Sequence, residues 1–192
     1  MRNLFLRVAA TLVVSMAFTP MALAQYGRSD GLRNRTTAAV VRLLQGDFRE
    51  CGDLIIVFRY DCYSQSYRSA ADRLDGLVGY AEAQTALRLV ETRIGSVVSA
   101  NRDRTRPPLR QGGRVFNAVT EEAIPLLRRE TLRAMDEAQT VLLRSPTAAQ
   151  RPHYSRIAAV IDSNKVLLRS ALLLIDTGLR RIAGLIFQPS TG

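Results

Sequence analysis

The chain has 192 residues, 47% of them hydrophobic, 6% aromatic and 23% charged, with a formal net charge of +10. That hydrophobic share argues against a disordered chain, and the length suits one domain able to bury its own core. Few aromatics and an excess of small aliphatic residues favour helices over a β-sandwich.

Residues 1–24 read as a secretory signal peptide. Arg2 and Arg7 give a positive start, residues 8–18 are apolar apart from Thr11 and Ser15, and Pro20 breaks a helix before Ala22-Leu23-Ala24. The apolar stretch is shorter than the roughly 20 residues a bilayer span needs. No cysteine lies beside the cut, which argues against a lipid anchor. Cleavage after Ala24 removes two of the 27 basic residues and none of the 17 acids, leaving +8 on residues 25–192. These residues are expected to form a single exported helical domain, periplasmic in a bacterium.

The charge is nearly all arginine, Lys165 being the only lysine. Guanidinium forks suit phosphate and carboxylate partners, although a GC-rich genome explains arginines scattered along a chain more simply. A basic exported protein favours anionic surfaces such as phospholipid headgroups, lipopolysaccharide or nucleic acid, an attraction that salt screens.

Residues 25–31 are polar and expected to fray. A short helix is predicted over 32–45, with Ala39, Val40, Leu43 and Leu44 on one side and Gly46 as its stop. Cys51 and Cys62 are the only cysteines, and in an oxidising compartment they are expected to pair. A continuous helix would hold their Cα atoms about 16 Å apart and a strand roughly 35 Å, whereas a disulfide needs roughly 4.4–6.8 Å. The segment between them must therefore fold back. Its apolar run 54–58 reads as an irregular or partly helical plug.

Residues 63–99 carry a helical stripe through Tyr63, Tyr67, Ala70, Leu74, Leu77 and Ala81, continued by Leu87, Val90, Ile94 and Val97. Gly76, Gly79 and Gly95 fit either a close helix approach or a bend. Residues 101–113 interrupt the pattern: Pro107-Pro108 and Gly112-Gly113 exclude a helix or a central strand. With Arg102, Arg104, Arg106, Arg110 and the adjacent Arg114, this is the most basic stretch, and it reads as an exposed loop. A third long helix is predicted over 114–144, either starting near Thr120 or kinked at Pro125. The fourth, over 147–187, has the cleanest period.

The predicted fold is an all-α antiparallel bundle of about four helices, three of them long, with one disulfide-closed hydrophobic loop. Arg169, Asp176, Arg180 and Arg181 rule out a membrane span in the last helix.

No motif names a reaction, and no catalytic, cofactor-binding or metal-binding residue is assigned. His153 is the only histidine, too few for a zinc site, and beside Pro152 it reads as a surface or capping residue. Glu121-Glu122 and Asp136-Glu137 are adjacent on a helix and diverge by about 100°, so they read as solvated faces. Asn164 lies on the buried stripe, where a polar residue fixes register.

Two interaction surfaces remain. Tyr60, Tyr63 and Tyr67 either form a recognition patch or pack the cysteine loop onto the bundle. Arg102, Arg104, Arg106, Arg110 and Arg114 either grip an anion or are simply solvated. The functional expectation is a non-catalytic adaptor, structural or protein-interaction module with a partner in the cell envelope. The alternative is a binder of anionic envelope components through the arginine loop, and behind both stands an enzyme or small-molecule carrier using a bundle pocket. A homodimer is compatible with the wide apolar faces.

Overall fold

A computed structural model describes residues 31–144 and 146–186, with side chains through Ser170. The predicted signal peptide lies outside the described residues. The protein is an all-α bundle, with five helices among the described residues: α1 Asn34–Asp53, α2 Ile56–Asp72, α3 Ala81–Ala100, α4 Ile124–Arg144 and α5 Arg151–Ile186. One small hairpin, β1 Leu109–Gln111 with β2 Arg114–Phe116, is inserted between α3 and α4. Each helix packs on its chain neighbours, and α5 closes the ring against α1. Thr37 meets His153 and Glu82 meets Tyr154, so α1, α3 and α5 start at one end of the bundle. α2 and α4 run back.

Thr37, Val40, Leu44, Phe48 and Cys51 form the buried stripe of α1. The helix does not stop at Gly46. A mid-helix glycine costs about 1 kcal/mol, and burying Phe48 one half-turn later contributes more. The chain then reverses through Leu54 and Ile55, and the Cys51–Cys62 disulfide joins the end of α1 to the second turn of α2 with Cα atoms 5.6 Å apart. The predicted plug is thus a tight helical hairpin.

α2 is the central element. Its buried residues lie on nearly every side, including Val57, Tyr60, Tyr63, Tyr67 and Ala71, because α1, α3 and the hairpin strand β2 all pack on it. The single helix predicted over 63–99 is in fact two. Gly76 adopts φ +70°, which an L side chain rarely tolerates, and the chain turns there before a short 3-10 segment, Val78–Tyr80. Gly95 has the other role: a Cβ there would stand 3.1 Å from Ser64 Oγ, so glycine permits the close approach of α3 to α2.

The predicted loop is also more ordered than expected. Gly112 and Gly113 take φ +57° and +75°, the two positive values of a two-residue hairpin turn. Phe116 and Val119, expected on the third helix, are extended and buried, and Val119 N–H donates to the Val57 carbonyl at 2.9 Å. α4 starts after the 3-10 turn Glu121–Ala123, with Pro125 in its first turn, where no helical hydrogen bond is lost. Before α5, Thr147 and Gln150 form a reciprocal cap: Gln150 N–H donates to Thr147 Oγ1 at 3.2 Å, and Thr147 N–H to Gln150 Oε1 at 3.0 Å.

Candidate functional site

The excursion 101–119 is held to the bundle by side chains of α1 and α2. Arg114 is its anchor. Nη1 meets Asp47 Oδ2 at 3.0 Å, Nη2 donates to the Cys62 carbonyl and to Ser66 Oγ, both at 3.2 Å, and the guanidinium lies 5.1 Å from the Phe116 ring centroid. Asp61 Oδ2 accepts the Asn117 N–H at 2.6 Å and its Nδ2 at 3.1 Å, while Gln65 Nε2 donates to the Val115 carbonyl at 2.8 Å. Arg114 is therefore a structural bridge rather than a free surface charge.

The other arginines divide. Arg102, Arg104 and Arg106 border a cleft of about 1160 Å³ between the 102–108 segment and the facing sides of α2 and α3. Arg110 stands apart on the exposed side of the hairpin. Asp103 shapes the segment by accepting the Thr105 hydroxyl at 2.6 Å and the Thr105 N–H at 2.9 Å. Those bonds hold its carboxyl below the usual carboxylate range. Arg106 reaches Asp103 at 3.7 Å and Glu121 at 3.8 Å, both loose contacts. Among the described residues Arg102, Arg104 and Arg110 make no ion pair and no side-chain hydrogen bond.

The acids of the cleft are already committed. Glu91 Oε1 receives Arg68 Nη2 at 2.7 Å and Nε at 3.1 Å, and Asp61 is capped by Asn117. The floor is made of small and hydroxyl-bearing residues, among them Ser64, Thr92, Gly95, Ser96 and Ser99. No aromatic residue lines it among the described residues.

Of the two readings open for the tyrosines, the coordinates give packing. Tyr60, Tyr63 and Tyr67 are buried, so they present no surface patch. Tyr63 stacks on Phe48 with centroids 4.1 Å apart and takes Tyr60 edge-on at 5.8 Å. Burial pushes the Tyr63 hydroxyl up to about 12, and Tyr60 and Tyr67 are raised for the same reason. Cys51 and Cys62 are buried beneath them.

Sequence reasoning missed a polar hub at the other end of the bundle. His153 is buried, not on the surface, and its Nδ1 lies 2.7 Å from Thr37 Oγ1 and 3.3 Å from Tyr80 Oη. Tyr80 and Thr37 are 2.7 Å apart, and Tyr80 donates to the Arg33 carbonyl at 2.9 Å. Arg33 and Thr37 are i,i+4 neighbours at the start of α1, but residues 37, 80 and 153 share no local spacing, so only the tertiary fold brings them together. Asn164 is buried as expected and lies beside Tyr67. Among the described residues, Asn164 Nδ2 and Tyr67 Oη have no hydrogen-bond partner. Asp136 and Glu137 diverge, Asp136 to Lys165 at 2.7 Å and Glu137 to Arg93 at 3.3 Å.

Among the described residues no helix is long and apolar enough to cross a membrane, and no group of three or more His, Cys, Asp or Glu side chains is placed to hold a metal ion. The chain matches no family model, no curated protein and no solved structure.

Proposed function

We propose that this chain is an exported, non-catalytic helical-bundle protein that works by binding, and that it docks anionic components of the cell envelope through the segment carrying Arg102, Arg104, Arg106 and Arg110. The observation that carries this is the contrast between the two candidate surfaces. The tyrosines are consumed by packing, while Arg102, Arg104 and Arg110 are exposed and have no acidic partner among the described residues. Arg114, Asp61 and Gln65 hold the segment in place, so binding costs little ordering entropy. A catalytic role has no comparable support. The only imidazole sits in the hub near the start of α3, about 25 Å of helical rise from Ser99.

Replacing Arg102, Arg104, Arg106 and Arg110 by Gln tests the proposal. Retention on vesicles rich in phosphatidylglycerol is expected to vanish while the far-ultraviolet dichroism stays helical. Unchanged retention rejects it.

A further inference from the structure

We infer that the cleft beside the arginine segment is a binding site for a phosphate-bearing polyol. This rests on the anionic reading above and goes beyond it, since surface attraction needs no cleft. Three observations point to that ligand class.

The first is the distribution of charge. Four arginines and three acids line the cleft, but the acids are occupied: Glu91 by Arg68, Asp61 by Asn117, and Asp103 by Thr105 and Arg106. Arg102 and Arg104 remain uncommitted at the rim. One guanidinium fork satisfies the two oxygens of a carboxylate, whereas two forks match the larger oxygen set of a phosphate.

The second is the floor. Ser64 Oγ donates to the Glu91 carbonyl at 3.0 Å and Ser96 Oγ to the Arg93 carbonyl at 3.0 Å. With its proton so used, the exposed Ser96 Oγ keeps lone pairs that accept from ligand hydroxyls, while Ser64 is itself buried behind Gly95. Ser99 adds a hydroxyl with no partner among the described residues. Gly95 lets α3 lie close against Ser64 on this side of the cleft.

The third is what the lining lacks. Without an aromatic residue among the described lining, there is no platform there for a nucleobase or for a stacked neutral sugar. Its apolar residues, Val98, Pro107 and Pro108, are too few to bury an acyl chain. Recognition falls to charge and hydroxyls alone. A volume of about 1160 Å³ accommodates a headgroup or a phosphorylated sugar with room to spare. Both sources present the same chemistry.

The test is calorimetric titration of the purified protein with glycerol 3-phosphate, with glycerol and inorganic phosphate as partial ligands, alongside adsorption to phosphatidylglycerol vesicles. Two variants separate the cleft from the charge: Arg102→Gln/Arg104→Gln, and Ser96→Leu/Ser99→Leu, which fills the floor and leaves every arginine. Thermal melting confirms that each is folded. The site predicts saturable binding of a polyol phosphate, weakened at least about tenfold by either double variant, with glycerol silent and phosphate weaker. If only vesicles bind and Ser96→Leu/Ser99→Leu impairs them, the ligand is a lipid headgroup; soluble binding identifies a free phosphorylated polyol. Vesicle adsorption lost in the arginine variant but intact in the leucine variant, with no soluble ligand bound, overturns the cleft and leaves the anionic surface standing. No binding by the wild type in any arm overturns both.

Discussion

Arg114, on the second strand of the hairpin, donates from Nη2 to the main-chain carbonyl of Cys62 at 3.2 Å. The segment bearing the uncommitted arginines is thereby tied to one half of the disulfide. Replacing Arg114 by Ala leaves Asp47 without its partner and removes the donor to Cys62 and Ser66. The expected cost is about 1–3 kcal/mol, seen as a lower urea midpoint. Amide exchange over residues 109–116 is expected to accelerate more than exchange in α4. Uniform acceleration throughout the bundle would show that Arg114 is no local anchor.

The disulfide closes a short loop across the α1–α2 reversal, and in the chain-entropy model its loss costs about 3 kcal/mol. Cys51→Ser/Cys62→Ser is expected to lower the unfolding free energy from denaturant titration by that amount and to remove the effect of reductant. The native protein is expected to react with no maleimide until it is unfolded and reduced, because both sulfurs are buried. Rapid labelling of the folded protein contradicts the pairing.

Stability is expected to fall on both sides of neutrality. One proton assignment satisfies the whole hub: His153 Nδ1–H donates to Thr37 Oγ1, Thr37 to Tyr80 Oη, and Tyr80 to the Arg33 carbonyl. Burial, with Arg156 adding to it, holds the imidazole below its ordinary pKa. The unfolded chain therefore takes up a proton near pH 6.5 that the folded chain refuses. Stability is complete above that pH and declines below it. His153→Asn, whose amide can replace the Nδ1–H donor, is expected to flatten the acid-side decline in melting temperature between pH 7 and 5. In alkali the tyrosines act in the opposite direction. Tyr63 titrates at about 12 when folded against 10 when unfolded, so its contribution is present below pH 10 and lost above it. Each unit of that difference is worth about 1.4 kcal/mol. A melting temperature flat from pH 9 to 11 rejects the burial of these rings.

Tyr67 and Asn164 test the register role. Tyr67 Oη and Asn164 Nδ2 are buried with no hydrogen-bond partner among the described residues, so each already bears a desolvation cost. Tyr67→Phe is expected to be neutral or stabilising by up to about 1 kcal/mol. Asn164→Ala opens a cavity and is expected to lose about 2 kcal/mol. The double variant Tyr67→Phe/Asn164→Leu is expected to match or exceed the wild type in melting temperature. A large loss from Tyr67→Phe would mean that its hydroxyl has a partner in solution.

Periodicity and covalent geometry make part of the fold legible in the sequence. The amphipathic stripes define α4 and α5, and the spacing of Cys51 and Cys62 demands the reversal that α1 and α2 make. Gly46 and Gly76 show where local signals run out. Both are glycines in helical patterns, yet the helix passes through one and breaks at the other, because Phe48 has a pocket to fill while Leu74 and Leu77 turn the chain onto α3. Gly112-Gly113 reads in the sequence only as a loop, because β1 and β2 are too short to announce themselves as strands. The cleft was half legible: the arginines are a visible run, whereas the serine floor and the capping of Asp61 and Glu91 exist only once α2, α3 and the hairpin meet.

The most direct measurement of the anionic-docking account is the salt dependence of binding to phosphatidylglycerol vesicles by the wild type and by the Arg102→Gln/Arg104→Gln/Arg110→Gln variant. Each basic residue near an anionic surface contributes about 1 kcal/mol, so the wild type is expected to bind at least about a hundredfold tighter at low ionic strength. That advantage should disappear as salt rises. Equal affinities at low salt, or a wild-type affinity indifferent to salt, contradict the account.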